Sequence, residues 1–171
     1  MIDDPVSAVD CDQVWTKIYQ RDFRQWRGIP DECGYRSFDQ AFTRVSDHYG
    51  IGRLGSGARE YRYRVYLHEA YAGDLKAWYE NDDLVLVEGA YPAPHPFDAT
   101  WFAGLGEPDL RLDYRLDQMP VQRGAWVYAE SGLALFMDAT GRSVMAVALF
   151  SSCTPAYYQG NLHPVSELAE Q

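Results

Sequence analysis

Between residues 69 and 88 six carboxylates, Glu69, Asp74, Glu80, Asp82, Asp83 and Glu88, stand against one base, Lys76. Tyr71, Trp78 and Tyr79 are interleaved with them, and Tyr91 follows. Large rings with polar tips anchor protein interfaces, and carboxylates steer a basic partner toward them. On this reading Trp78, Tyr79, Glu80, Asp82, Asp83 and Glu88 supply a docking surface. Two plainer readings fit the same residues. Asn81-Asp82-Asp83 is ordinary turn chemistry, and the rings could face a core while the acids face water. Paired carboxylates for glycoside hydrolysis are a weaker third, because nothing in the sequence fixes their separation.

Nucleophiles and metal ligands are sparse. Cys11, Cys33 and Cys153 form no CxxC, and three cysteines cannot all pair within one chain, so neither a disulfide framework nor a structural zinc site is expected. Cys153 follows an apolar stretch and precedes Thr154-Pro155, a place for a helix start, which makes it the most suggestive thiol; a buried structural cysteine is the plainer reading. His48, His68, His95 and His163 are far apart in sequence and read as solvated or singly hydrogen-bonded. Gly50-Ile-Gly-Arg-Leu-Gly55 spells GxGxxG, but a dinucleotide site needs a strand before it and a helix after it. Here a helix is expected before and a strand after. No GxSxG elbow, P-loop or HExxH occurs, and no cofactor or metal is expected.

The chain has 171 residues, 25 acids and 15 bases, a net charge of −10, and 13 Tyr and 5 Trp. The acids are spread over its whole length, which disfavours nucleic acid and anionic membranes as partners and favours a basic protein. The first residues, Met1-Ile-Asp-Asp-Pro5, lack the apolar run of a secretory signal, and no segment is long and apolar enough to span a bilayer. A cytoplasmic location is the expectation.

The elements that must position these residues are legible from period and punctuation. Val14, Trp15, Ile18, Tyr19, Phe23 and Trp26 recur at helical spacing after Asp10 or Asp12, which predicts a helix to about Trp26. Ser37 can cap a second helix with Phe38, Ala41, Phe42 and Val45 on one face, closing near Gly50. From Arg59 the period becomes two, and Leu75–Glu80, Asn81–Asp83 and Leu84–Glu88 read as a hairpin. Tyr91-Pro-Ala-Pro-His-Pro96 should break regular structure and mark a boundary. Arg111–Asp117 alternates again, Ala125–Tyr128 and Leu133–Met137 follow as strands, and Asp138–Gly141 turns into Ser143–Phe150. A last short helix opens at Thr154-Pro155.

A pattern occurs twice along this series. Leu54-Gly55 is followed by Tyr61 and Tyr63, Ala77-Trp78-Tyr79, then Leu84 and Leu86; Leu105-Gly106 is followed at the same first offset by Leu112 and Tyr114, Ala125-Trp126-Val127-Tyr128, then Leu133 and Leu135. The expectation is an α+β protein: two tandem antiparallel-sheet units with helices packed on one face. Its parts are an N-terminal helical segment over 1–50 and sheet units over 51–97 and 98–171, all within one domain.

Over residues 38–150 this layout, with its Leu-Gly turns and sheets bearing Tyr and Trp, resembles the β-lactamase inhibitor proteins, although their disulfides cannot be built from these cysteines. The size, acidity and lack of catalytic motifs also resemble bacterial immunity proteins. Either resemblance implies a non-enzymatic protein that binds and occludes a cognate basic toxin or enzyme. The alternative is a small-ligand or catalytic domain with a pocket between sheet and helices, using His68, His95 or Cys153.

Overall fold

The computed structural model describes residues 10–20, 22–49, 59–67, 70–81, 83–96, 104–115, 122–138 and 140–163. Asp10 opens the first helix, α1 (Cys11–Gln20), its carboxylate accepting from the backbone N–H groups of Asp12 and Gln13. The helix stops short of the expected Trp26. Gln25 takes a left-handed φ of 60°, and Phe23, Trp26 and Ile29 reach the core from a non-helical loop. The second helix, α2 (Tyr35–Ala41), starts from Gly34 rather than Ser37, whose hydroxyl accepts from the Trp15 indole at 2.7 Å. Cys11 and Cys33 are bonded to each other, tying the start of α1 to the loop before α2. The reading that no disulfide framework is expected did not foresee this single bond: an odd count leaves Cys153 free without preventing the other two from pairing.

Among the described residues eight antiparallel strands form one sheet: β1 (Thr43–Tyr49), β2 (Arg59–Leu67), β3 (Ala70–Glu80), β4 (Asp83–Pro96), β5 (Leu110–Arg115), β6 (Gln122–Tyr128), β7 (Leu133–Met137) and β8 (Ser143–Leu149). Their order is β1-β2-β3-β4-β8-β7-β6-β5. Residues 43–49, read from sequence as the end of a helix, are therefore an edge strand, because pairing with β2 from Thr43↔Arg64 to Tyr49↔Arg59 outweighs local helical spacing. The proline run is also strand. Pairing with β3 ends at Gly89, while His95 and Pro96 still pair with β8 past a register irregularity after Ala90, which accommodates prolines that cannot donate to a ladder.

Each half of the sheet is a meander of four consecutive strands, and the halves meet where β4 lies against β8. This arrangement makes β1–β4 equivalent to β5–β8. The residue pattern noted in the sequence instead matches β2–β4 with β5–β7, one strand out of frame, so it is not the symmetry of the sheet.

Strand alternation sends side chains to two apolar clusters. Tyr61, Tyr63, Leu75, Ala77, Tyr79, Leu133, Leu135 and Leu149 pack under Trp15 and Ile18 of α1, Phe38 of α2 and the Phe23–Ile29 loop. Trp78, Leu86, Ala125, Val127, Phe136 and Ala148 pack under Tyr158 and Leu162, which lie on a π-helical turn (Tyr158–Leu162) continuing from α3 (Pro155–Tyr157). Helical segments thus contribute to the clusters of both faces, not of one. Thr154 caps α3 as expected, its hydroxyl accepting from the Tyr157 N–H.

The first cluster holds a polar link. The fully buried Tyr63 hydroxyl donates to Asp39 at 2.8 Å and lies 3.0 Å from that of Tyr79, while its ring meets Phe38 edge-on. Tyr63→Phe keeps the ring and removes the link, and is expected to cost roughly 1–2 kcal/mol. Urea unfolding should show a lower midpoint at unchanged slope; an unchanged midpoint would refute the assignment.

Candidate functional site

At one end of the sheet, the β3–β4 turn stands across from the segment that leaves β8, with an open cleft of about 570 Å³ between them. Asn81 takes a left-handed φ of 57°, which lets β3 reverse tightly into β4 and places Glu80 and Asp83 opposite each other in the register. Both acids are exposed on the lip of the cleft. A register shift between Trp78 and Tyr79 leaves Val85 as an extra residue, and Leu84, Val85, Phe150 and Leu162 line the apolar part.

The opposite wall is Ser151 to Thr154 and Tyr157. Backbone ties hold it: the Cys153 N–H donates to the Ala129 carbonyl at 3.0 Å, and the Ser151 hydroxyl donates to the Ile29 carbonyl at 2.6 Å. Tyr157 projects from α3 with half its surface exposed. Burial pushes the Cys153 thiol above its ordinary value, and a smaller opposing pull comes from its hydrogen bond with the Tyr158 backbone. A thiol shifted that way is less of a nucleophile at neutral pH.

The residues expected to act together are distributed otherwise. Trp78 and Tyr79 are 4% and 2% exposed and lie in different clusters, so these two rings do not form an outward docking face. The reason is elementary: neighbours in a strand point to opposite faces, and here both faces are covered. Glu80 and Asp83 share the cleft. Glu88 is half-buried farther along β4, opposite Lys76 on β3 and Ala148 on β8, and does not line it. Asp82 lies outside the described residues. The Ser151–Tyr157 wall was not foreseen as part of the same site; the one available signal was Cys153 before Thr154-Pro155.

The elements of a catalytic alternative do not converge among the described residues. Cys153 is in the cleft, His68 lies outside the described residues, and His95 pairs in register with Val144. A hollow of about 250 Å³ beside α1 and α2 is lined by Asp12, Trp15, Thr16, Tyr19, Ala41 and Phe42, with neither thiol nor imidazole. No group of three metal-ligating side chains occurs among the described residues. The Gly50–Gly55 segment lies outside the described residues.

Compared with models of protein families, with curated protein sequences and with solved structures, the chain finds no match. What can be said of its role therefore rests on the cleft itself.

Proposed function

We propose that the chain is a non-enzymatic binding protein, of the immunity or inhibitor kind, that occludes a basic toxin or enzyme by receiving a cationic segment of it in the cleft. The observation carrying this reading is the composition of the two walls. Glu80 and Asp83 give one wall negative charge, while Ser152, Thr154 and Tyr157 give the other hydroxyl groups and an exposed ring. A lysine or arginine side chain matches that combination: its head meets carboxylates and its stem lies along Leu84 and Val85. The net charge of −10 adds long-range attraction for such a partner.

The rival catalytic reading would place Cys153 as nucleophile in the same cleft, and the raised thiol counts against it. We retain the tandem-unit reading at the level of the two four-strand meanders, which the sheet order supports. No described helix is long and apolar enough to cross a membrane. The Cys11–Cys33 bond suits an oxidising compartment better than the cytoplasm first expected, and we propose such a location.

The test uses a defined Lys/Arg-rich peptide and a Gln-substituted control. The basic peptide should shift backbone amide resonances at residues 80–85 and 150–157, and the control should not. Glu80→Lys with Asp83→Lys should weaken binding by about tenfold or more, and added salt should do likewise. Equal binding of the control, or shifts mapping to other strands, would end the proposal.

A further inference from the structure

Among the described residues the sheet ends on β1 at one side and β5 at the other. β5 pairs with β6 along one side, and no described strand pairs with its other side. Such an edge presents a row of backbone donors and acceptors to any strand that can register with it. Leu110 and Leu112 are half-buried against the second cluster at that edge, and Arg111 is exposed.

We propose that β5 is an interface for a second copy of this chain, two β5 strands pairing antiparallel about Leu112 into one continuous sheet. The argument is one of symmetry and charge. A twofold axis normal to a sheet keeps each side chain on its own face, so it must pass through a residue opposed to its own copy. Three such centres are available in the middle of β5. Centring on Arg111 opposes Arg111 to itself and Asp109 to Asp113. Centring on Asp113 opposes Asp113 to itself and Arg111 to Arg115. Both place like charges directly across from one another, which is unfavourable. Centring on Leu112 opposes Arg111 to Asp113 twice, Leu110 to Tyr114 twice, and Leu112 to itself. Of these three registers only this one is complementary in both charge and apolarity; a centre on Tyr114 also opposes Asp113 to Arg115, but it carries Leu110, Arg111 and Leu112 past the end of the partner's β5.

The other edge offers no equivalent. Centring β1 on Val45, Ser46 or Asp47 never sets Arg44 against Asp47; it pairs Arg44 with Ser46, pairs it with His48, or leaves it beyond the overlap. Within its own chain Arg111 stacks over Trp126, 4.6 Å from the ring centroid, and meets the exposed Glu107 at 3.1 Å. These contacts hold the guanidinium on the face where Asp113 of the second copy would stand. Asp109 is already committed, accepting from the Ala129 N–H at 2.9 Å, so the Asp109–Arg115 juxtaposition of the same register is left out of the argument.

Sedimentation velocity of the full chain over a concentration series tests the interface. A reversible monomer–dimer equilibrium is expected. Arg111→Asp should weaken it by about tenfold or more, and Arg111→Asp with Asp113→Arg should restore it. Both variants lose the Trp126 and Glu107 contacts, so those contacts cannot explain the difference. In a Cys153→Ser background, Leu112→Cys should give an oxidised covalent dimer and Leu110→Cys, which faces Tyr114, should not. Circular dichroism confirms that each variant keeps the parent fold. A monomer at every concentration, a double reversal no better than the single one, or equal cross-linking from positions 110 and 112 would overturn the proposal.

Discussion

Gly132→Ala is expected to abolish stable folding or to cost more than about 4 kcal/mol, placing it among the most damaging single substitutions. Gly132 turns β6 into β7 at a φ of +66° and accepts hydrogen bonds on its carbonyl from the Trp26 indole at 3.1 Å and the Phe150 N–H at 3.0 Å. A Cβ there would collide with the Phe150 carbonyl and lie 2.6 Å from the Gly28 Cα, and both obstacles are backbone. Gly28 has its own positive φ, +95°, and its flanking residue Ile29 donates from its N–H to the Phe150 carbonyl at 2.9 Å. Neither partner can retreat without breaking ties that hold the Trp26–Ile29 loop to the end of β8. Gly141→Ala is the internal control. Its φ is +71°, but nothing lies within 4 Å of an added Cβ, so the conformational cost alone, about 1 kcal/mol, is expected. Thermal unfolding of the two variants separates close approach from backbone strain; equal losses would refute the packing account.

Removal of the Cys11–Cys33 bond, by Cys11→Ser with Cys33→Ser, is the second large effect. The bond closes a loop between residues 22 apart, for which chain-entropy reasoning gives about 3 kcal/mol. The loop contains Trp15, Ile18, Phe23, Trp26 and Ile29, all buried in the first cluster, so its ordering matters to the core and not only to the helix. Cys33 is itself 1% exposed, and the hydroxyl replacing its sulfur would need a partner. Urea unfolding with and without reductant should differ by a similar amount, and alkylation before reduction should label Cys153 alone. Equal stability of the two forms would show that the loop is ordered without its covalent tie.

Much of the sheet was readable because its strands alternate and turn on Asn, Asp and Gly. The Leu75–Glu88 hairpin, the turn at Asp138–Gly141 and the Thr154 cap all depend on near neighbours. The errors arose where distant partners decided the outcome. Phe23 and Trp26 continue a helical rhythm, but Trp26 is held by Gly132, 106 residues away, and the helix gives way. Residues 43–49 look helical beside Phe38 and Ala41, until β2 offers a ladder. Trp78 and Tyr79 seemed available because the second cover, from Tyr158 and Leu162, could not be inferred from a short tail segment. Glu80 and Asp83 stay exposed because they flank a turn, and turns reach the surface.

The seam between β4 and β8 has a bearing on how the chain acquires its shape. Each meander grows by zipping neighbours in sequence, whereas Val87 must find Leu149 and Ile29 must find Phe150 across long intervening stretches. During synthesis the N-terminal meander therefore waits with its β4 border open until the last strand emerges. Coalescence of the two halves and docking of the N-terminal loop belong to the same late event, so a chain cut before β8 would lack both the sheet's middle and the anchor of the Trp26–Ile29 loop.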